Sequence, residues 1–235
     1  MTVMQWFDGN DKLAPALAAA VTADLRAVLE KAPRAALAVS GGNSPVPVFE
    51  VLREADLDWP RIVVTLVDER WVPESDPGSN AALVKAHLLQ GRAAAADFLP
   101  LYTGAATAQA AEDGLAEAFN GIPQPFAALI LGMGEDGHTA SLFPASPKLQ
   151  AGLALDGTVA TTPPYLAQIG AVEPVERISL TLPWILNSLR VYLQFGGASK
   201  VEVYNKAMQG RNPQYPVSYV LSQTQTPVSV FAARS

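Results

Sequence analysis

Apolar residues in this chain fall into two kinds of segment, which alternate along most of its length. Short runs with few polar positions predict strands at residues 35–39, 61–67, 98–101, 126–131, 177–182 and 191–195. Longer segments rich in Ala and Leu, with helical spacing, predict helices at residues 12–32, 45–54, 80–89, 106–119 and 199–208. Strands that alternate with helices need crossover connections. The pattern therefore predicts an α/β fold with a doubly wound, mostly parallel sheet and helices on both faces, in a single domain over residues 1–235.

Residues 157–176 form the most irregular stretch of the chain. Pro163, Pro164 and Pro174 interrupt any regular pattern there. We expect this stretch to be either a surface excursion or a hairpin at the edge of the sheet.

Four loops that follow predicted strands carry candidate chemistry. They begin at Ser40, Asp68, Gly132 and Gly196. In open parallel sheets, ligands bind outside the carboxyl ends of the strands. We therefore expect these four loops to converge on one crevice.

The loop after the predicted strand 126–131 is the best candidate for a chemical centre. It places Asp136 and His138 among three glycines, Gly132, Gly134 and Gly137. Histidine can take up and return a proton near neutral pH, and glycine lets the backbone approach a small ligand closely. The loop predicts acid–base chemistry.

The same glycines also match the Gly-x-Gly-x-x-Gly pattern of dinucleotide-binding proteins. Asp156 even lies near the distance at which such proteins place an acidic residue. However, Pro144 and Pro147 interrupt the helix that must follow the third glycine, and Asp156 stands in a turn-like Leu-Asp-Gly segment. The context disfavours a dehydrogenase.

Two of the loops have features of an anion site. The first comprises Ser40, Gly41, Gly42, Asn43 and Ser44, directly before a helix predicted to begin at Pro45. Its amides and the helix N-terminus could hold an anion, although an ordinary capped turn would look the same. The second contains Lys200 at a helix start, where a cation is unfavourable unless an anion binds beside it.

The charges of Asp68, Glu69, Arg70 and Arg177 allow two interpretations. Residues 68–70 follow a hydrophobic strand, and Arg177 begins another apolar run. Each could belong to a functional site. Each could equally be a surface salt bridge or a solvated edge charge, which contribute little.

Composition and charge exclude several classes of function. The net charge of −6 without a basic cluster argues against a nucleic-acid surface, and the chain has no cysteine for a disulfide, a thiolate nucleophile or a Cys-based metal site. Residues 1–8 lack the pattern of a secretion signal, and no apolar run approaches about 18 residues, so we expect a soluble cytoplasmic protein without a membrane partner. His87 lies in a predicted helix, and two histidines without metal-ligand spacing predict no metal and no cofactor.

Taken together, the loops resemble the 6-phosphogluconolactonase family, within the wider group that includes glucosamine-6-phosphate deaminase/isomerase. They occur in the family's order across residues 40–200. The matching segments are Ser40-Gly41-Gly42 with Pro45, Asp68-Glu69-Arg70 with Val72-Pro73 and Ser79-Asn80, Gly-Met-Gly-Glu-Asp-Gly-His-Thr-Ala-Ser-Leu-Phe-Pro at residues 132–144, Arg177-Ile178-Ser179-Leu180-Thr181, and Gly197-Ala198-Ser199-Lys200. One departure is Asn43, where the family usually has Ser or Thr; an amide can still donate to a phosphate.

The resemblance implies a Rossmann-like fold and hydrolysis of 6-phospho-D-glucono-1,5-lactone in the oxidative pentose phosphate pathway, without metal. The partner would be a phosphorylated sugar lactone, with monomer and homodimer both left open. The family pattern places the substrate phosphate against the Ser40–Ser44 loop, Arg177 and Lys200, and His138 near the lactone carbonyl as the base.

The proposed chemistry leaves two roles unassigned. Either Asp136 or Asp68 would orient the imidazole or the attacking water. Either Arg70 or backbone N–H groups of the glycine loop would stabilise the oxyanion.

Two alternative functions share these loops. A sugar-phosphate deaminase/isomerase would need a proton relay, and the related enzymes carry Glu five residues beyond the loop histidine, where this chain has Phe143. A non-catalytic sugar-phosphate sensor would need the phosphate loops, but it would not need His138 beside Asp136.

Overall fold

A computed structural model describes residues 2–155, 157 and 159–234. The strands in this part of the chain are β1 Thr2–Phe7, β2 Ala35–Val39, β3 Ile62–Leu66, β4 Asp68–Arg70, β5 Asp97–Leu99, β6 Ala128–Gly132, β7 Tyr165–Ile169, β8 Glu176–Leu180, β9 Val191–Gly196 and β10 Val228–Ala233. The α-helices are α1 Asn10–Leu29, α2 Val46–Leu52, α3 Asn80–His87, α4 Glu112–Phe119, α5 Leu149–Gly152, α6 Leu182–Leu186, α7 Ala198–Ala207 and α8 Val217–Leu221.

Seven of the strands form one parallel sheet in the order β1-β10-β9-β6-β2-β3-β5. From β2 the chain runs outward through β3 to β5, and then returns to the other side of β2 to add β6, β9 and β10, the last of which pairs with β1, the first strand along the chain. This reversal creates a switch point between β2 and β6, where ligands bind in doubly wound folds. The predicted α/β class is confirmed.

The core lies on the faces of this sheet. All residues of β2 and β3 are buried, as expected for strands that are covered on both faces. Helix α1 buries Leu13, Leu17, Val21 and Leu25, which are spaced by four residues and therefore lie on one side of the helix. Each such side chain contributes about 1.5–3 kcal/mol by leaving water.

A second, antiparallel sheet contains β4, β8 and β7 in that order. Residues 68–70 are therefore a strand, although the sequence suggested a loop, and the strand predicted at 177–182 belongs to this small sheet. The irregular stretch 157–176 ends in the β7–β8 hairpin, but that hairpin lies outside the main sheet. The small sheet matters for the site because it presents β4 beside the carboxyl ends of β2 and β3, with Val67 N–H donating to Val39 O at 2.9 Å.

Several predicted boundaries are corrected by the structure. The helix predicted at 106–119 is a 3₁₀ turn at Gln109–Ala111 followed by α4, and α2 begins at Val46 with Pro45 as its N-cap residue. The apolar pattern does not predict β1, β10 or the short helices α5, α6 and α8. Among the described residues, no helix has both the length and the apolar character that crossing a bilayer requires.

Candidate active site

A cavity of about 400 Å³ opens at the carboxyl ends of the strands, next to the switch point. The predicted site residues that line it are Ser40, Gly41, Gly42, Asn43, Ser44, Asp68, Arg70, His138 and Lys200. The other lining residues are Pro45, Asn80, Gly132, Met133, Gly134, Ala140 and Gln194. The loops therefore converge as expected, and the volume is that of a site for a small molecule.

His138 is held by the carboxylate of Asp136. The Nδ1 atom of His138 lies 2.5 Å from Oδ1 of Asp136, and the same oxygen accepts the backbone N–H of His138 at 3.1 Å. An ionised carboxylate can only accept, so Nδ1 must carry the proton. The Nε2 atom is then the ring nitrogen with a lone pair, which makes it the candidate base.

Two further contacts restrict the imidazole. A Cβ atom at Gly134 would collide with the His138 ring, so this position requires glycine. The ring of Phe143 packs on the imidazole, with the two ring centroids 4.4 Å apart. The Gly134 backbone and the Phe143 ring thus both restrict the position of the imidazole.

Asp136 itself does not line the cavity, but it is ionised at neutral pH. Burial raises the pKa of Asp136, while the hydrogen bond from the His138 ring and the charge of His138 lower it, and the net pKa lies below its usual value. The carboxylate therefore provides a negative charge that favours a protonated imidazole during a proton transfer.

Asp68 lies at the cavity wall and is oriented by other partners. Its Oδ2 atom accepts the hydroxyl of Ser141 at 2.6 Å, and its backbone carbonyl accepts the Asn80 amide at 2.9 Å. Of the two carboxylates that could orient the imidazole, Asp136 is the one in hydrogen-bond contact with His138. Asp68 faces the cavity from the opposite sheet, in a position to contact water or substrate.

The alternation of strand β4 explains why neighbouring charges have different roles. Asp68 and Arg70 line the cavity, whereas Glu69 points the other way and is fully buried. Its carboxylate accepts the backbone N–H groups of Asn80 and Ala81 at 2.7 Å each and so caps α3. Burial raises the pKa of Glu69, and the backbone hydrogen bonds offset only part of that rise.

The Ser40–Ser44 loop approaches the cavity through its backbone. Gly42 has a φ of 83°, which favours glycine, and a Cβ atom at Gly41 would collide with the side chain of Asn80. The hydroxyl of Ser40 is buried and has no hydrogen-bond partner among the described residues. An anion or sugar hydroxyl in the cavity could satisfy it.

Two cations face the same cavity. Arg70 donates to the backbone carbonyl of Gly78, and Lys200 lies in the first turn of α7. Within residues 2–155, 157 and 159–234, neither side chain forms an ion pair. The cavity can therefore offer positive charge to an anionic ligand although the whole chain has a net charge of −6.

Arg177 is the predicted phosphate residue that the structure does not bring to the cavity. It pairs with Arg70 across β4 and β8, is 3% exposed and donates to the carbonyl of Val172 at 3.3 Å. Burial and the neighbouring charge of Arg70 lower the pKa of Arg177. Residues paired across antiparallel strands lie on the same face of the sheet, so the Arg177 side chain is on the same face as Arg70, and its Nε and Nη1 atoms have no hydrogen-bond partner among the described residues.

Sequence reasoning missed two polar residues of the cavity. Asn80 stands in the Ser79-Asn80 segment noted above, but no local pattern predicts its contact with Gly41. Gln194 does give a signal, since it is a polar residue inside the apolar strand β9. His87 lies outside the cavity and contacts Glu50 at 3.2 Å, and Asp156 falls outside the described residues.

The arrangement brings a histidine that is hydrogen-bonded to a carboxylate close to two cations without ion pairs among the described residues. Among the described residues there is no group of three or more His, Cys, Asp or Glu side chains that could hold a metal ion. The titratable and charged groups at or beside the cavity are the imidazole of His138, the carboxylates of Asp136 and Asp68, and the cations Arg70 and Lys200.

Comparison with known proteins gives consistent matches over most of the chain. The family model of Glucosamine-6-phosphate isomerases/6-phosphogluconolactonase matches residues 8–229. The 6-phosphogluconolactonase of Pseudomonas aeruginosa is 43% identical over 192 residues, which cover 82% of this chain and 79% of the relative. That of Neisseria meningitidis is 37% identical over 235 residues, which cover 99% and 100%. The crystal structure of a 6-phosphogluconolactonase from Shewanella baltica has a TM-score of 0.94 at 37% identity and covers 100% of this chain and 98% of that chain.

Proposed function

Since the chain belongs to the family of glucosamine-6-phosphate isomerases and 6-phosphogluconolactonases, we propose that it hydrolyses 6-phospho-D-glucono-1,5-lactone to 6-phospho-D-gluconate in the oxidative pentose phosphate pathway. Relatives of that name, at 37% and 43% identity, support this reaction. The observation that carries the proposal is that His138, hydrogen-bonded to Asp136, lines the same cavity as Lys200.

The first step is activation of water by His138. Nε2 takes a proton from a water molecule while Nδ1 donates to Asp136, and the resulting hydroxide attacks the lactone carbonyl carbon. Asp136 stabilises the imidazolium that forms and keeps the ring in the productive tautomer. Asp68, which also lines the cavity and accepts the hydroxyl of Ser141, would orient the water.

The second requirement is a donor for the oxyanion of the tetrahedral intermediate. Within the glycine loop, the N–H of Gly134 donates to His138 O at 2.9 Å and the N–H of Gly137 donates to Gly134 O at 3.1 Å. These two amides are already used inside the loop, whereas Arg70 lines the cavity and has further N–H donors besides the one that binds Gly78, so we assign the oxyanion to Arg70.

Collapse of the intermediate returns the proton. The bond between the carbonyl carbon and the ring oxygen breaks, and the departing oxygen takes the proton from Nε2 of His138. The water has then been divided between the new carboxyl group and the new hydroxyl group, and the imidazole is neutral again.

The phosphate of the substrate would bind at the other end of the cavity. The Ser40–Ser44 loop provides backbone amides and hydroxyls, and Lys200 provides a charge without a carboxylate partner among the described residues. Arg177 enters this proposal only if its side chain turns toward the cavity when substrate binds.

Isomerase chemistry fits this site less well. Moving a proton between carbon atoms needs a relay to the loop histidine, and Phe143 occupies the position of the Glu that related deaminases use. Its ring packs on the imidazole at 4.4 Å and can neither donate nor accept a proton.

The test is an assay in which a dehydrogenase generates the lactone from glucose 6-phosphate. Because this lactone also opens spontaneously, the measurement is the rate with protein minus the rate without it. We expect a clear acceleration that is lost in His138→Ala, while that variant still binds 6-phosphogluconate. Release of ammonia from glucosamine 6-phosphate would indicate a deaminase instead. Tight binding of 6-phosphogluconate without acceleration would indicate the sensor.

A further inference from the structure

Gln194 is a buried polar residue that the proposed reaction has not yet used. It stands in the otherwise apolar strand β9, is 2% exposed, and its Nε2 atom has no hydrogen-bond partner among the described residues. Buried amides almost always have a partner, because losing water without replacement is costly. An unpartnered amide at a cavity wall therefore indicates a ligand.

Gln194 lies between the two elements that would hold a phosphate. It lines the main cavity, and it also lines an adjoining cavity of about 270 Å³ together with Ser44, Gly196 and Gly197. Ser44 ends the loop after β2, while the two glycines lead into the helix of Lys200. The side chain thus stands where these two loops meet.

We propose that Gln194 binds the phosphate group of the substrate by donating a hydrogen bond from its side-chain amide. This inference rests on the proposed function, in which the substrate is a phosphorylated sugar lactone. Ser40, whose buried hydroxyl also has no partner among the described residues, is the second neutral donor of the same site.

The position of Gln194 favours the phosphate over the reacting carbonyl. The adjoining cavity that Gln194 shares with Ser44 has no lining residue from the His138 loop. On β6, the residue paired with Gln194 is Gly132, which precedes that loop and has no side chain. A lactone carbonyl beside Nε2 of His138 would instead accept a hydrogen bond from Arg70, which belongs to the small sheet.

The chemistry of the Gln194 side-chain amide also fits a contact with phosphate. A phosphate dianion has many acceptor positions, and hydrogen bonds to a charged acceptor are stronger than neutral ones. The amide can turn so that its NH₂ faces an anion. Gln194 would then be partnered whenever substrate is bound.

The experiment compares the phosphorylated lactone with glucono-1,5-lactone, which lacks the phosphate. Gln194→Met keeps the size of the side chain and removes its donors. We expect kcat/KM for the phosphorylated lactone to fall about 10- to 100-fold, with little change for glucono-1,5-lactone. Equal losses for both lactones, or no loss for either, would overturn the proposal.

Two further variants serve as controls. Lys200→Met should show the same selective loss, because it removes the cation of the same site. Gln168→Met removes another buried glutamine, in β7 and outside the cavity, and should leave the ratio between the two lactones unchanged.

Direct binding separates this proposal from the proposed function. The dissociation constants of 6-phosphogluconate and gluconate can be measured by calorimetry even if neither lactone is hydrolysed. A weaker affinity of Gln194→Met for 6-phosphogluconate alone supports the phosphate contact. If Gln194→Met does not fold, the nearly isosteric Gln194→Glu decides, since its carboxylate repels the dianion. Wild-type affinity for 6-phosphogluconate in that variant would refute the contact.

Discussion

The pair of His138 and Asp136 allows a quantitative test of the proposed base. Asp136→Asn removes the negative charge but keeps an oxygen that can accept the Nδ1–H group. Two unit charges about 4 Å apart interact by about 1 kcal/mol in water and about 4 kcal/mol at an effective dielectric constant near 20. The Asp136 side chain is 42% exposed, so solvent screens the pair and the lower part of this range applies.

A loss of about 1–2 kcal/mol of transition-state stabilisation corresponds to about a 5- to 30-fold decrease in kcat. His138→Asn should cost more, about 10²- to 10⁴-fold, because asparagine can hydrogen-bond but cannot accept the proton. Since Asp136 acts through the imidazole, the double variant should be no slower than His138→Asn alone.

The assay is the steady-state hydrolysis of dehydrogenase-generated lactone, corrected for spontaneous opening. Asp113→Asn removes the same charge from an exposed position on α4 and serves as the control. Near-normal kcat in His138→Asn would refute the general base. Multiplicative losses in the double variant would show that Asp136 acts on the substrate or water independently of His138.

Three other predictions follow from the site and its surroundings. Lys200→Ala should raise KM more than it lowers kcat, because a phosphate contact is present in both the ground state and the transition state; a decrease in kcat at unchanged KM would contradict this. Gly134→Ala should lower kcat, because the added methyl group displaces His138 in a protein that still folds. Gly114→Ala, in helix α4 with open space around it, should instead raise the unfolding free energy measured by urea denaturation by about 0.5–1 kcal/mol. Because burial raises the pKa of Glu69 above its unfolded value, its contribution to stability is fully present below the unfolded pKa, about 4.3, and is lost as pH rises toward the folded pKa. The unfolding free energy of the wild type minus that of Glu69→Gln should therefore decrease as pH rises from the unfolded toward the folded pKa of Glu69. An increase would show that the pKa of Glu69 is not raised by folding.

The parts of the fold that the sequence predicts are those with a local signal. Strands β2, β3, β6 and β9 are apolar runs because both faces are buried, so periodicity alone finds them. Strand β1 is a partly exposed edge strand whose burial alternates, and its pattern is weak. Strand β4 consists of three charged residues and exists because it pairs with β8, which no local pattern records.

The site residues divide in the same way: the sequence predicts which residues come near the cavity better than it predicts the direction of each side chain. Nine predicted residues line the cavity: seven are in segments that follow parallel strands, which meet at one edge of the sheet whatever their side chains, and Asp68 and Arg70 are on β4, which lies beside that edge. The direction of an individual side chain depends on distant packing. Arg177 is a case in point: it is paired with Arg70 across β4 and β8, yet it is 3% exposed and, unlike Arg70, does not line the cavity.

The close approach of Gly41 to Asn80 ties together two regions that are distant in the sequence. The Asn80 side chain leaves no room for a Cβ atom at Gly41, and the same side chain donates to the backbone of Asp68. A side chain at position 41 is therefore possible only with a smaller residue at position 80, and that smaller residue would lose the hydrogen bond to the Asp68 carbonyl. A designer who wishes to resize the cavity at Gly41 must shorten Asn80 in the same step and thereby releases the strand that would position the water.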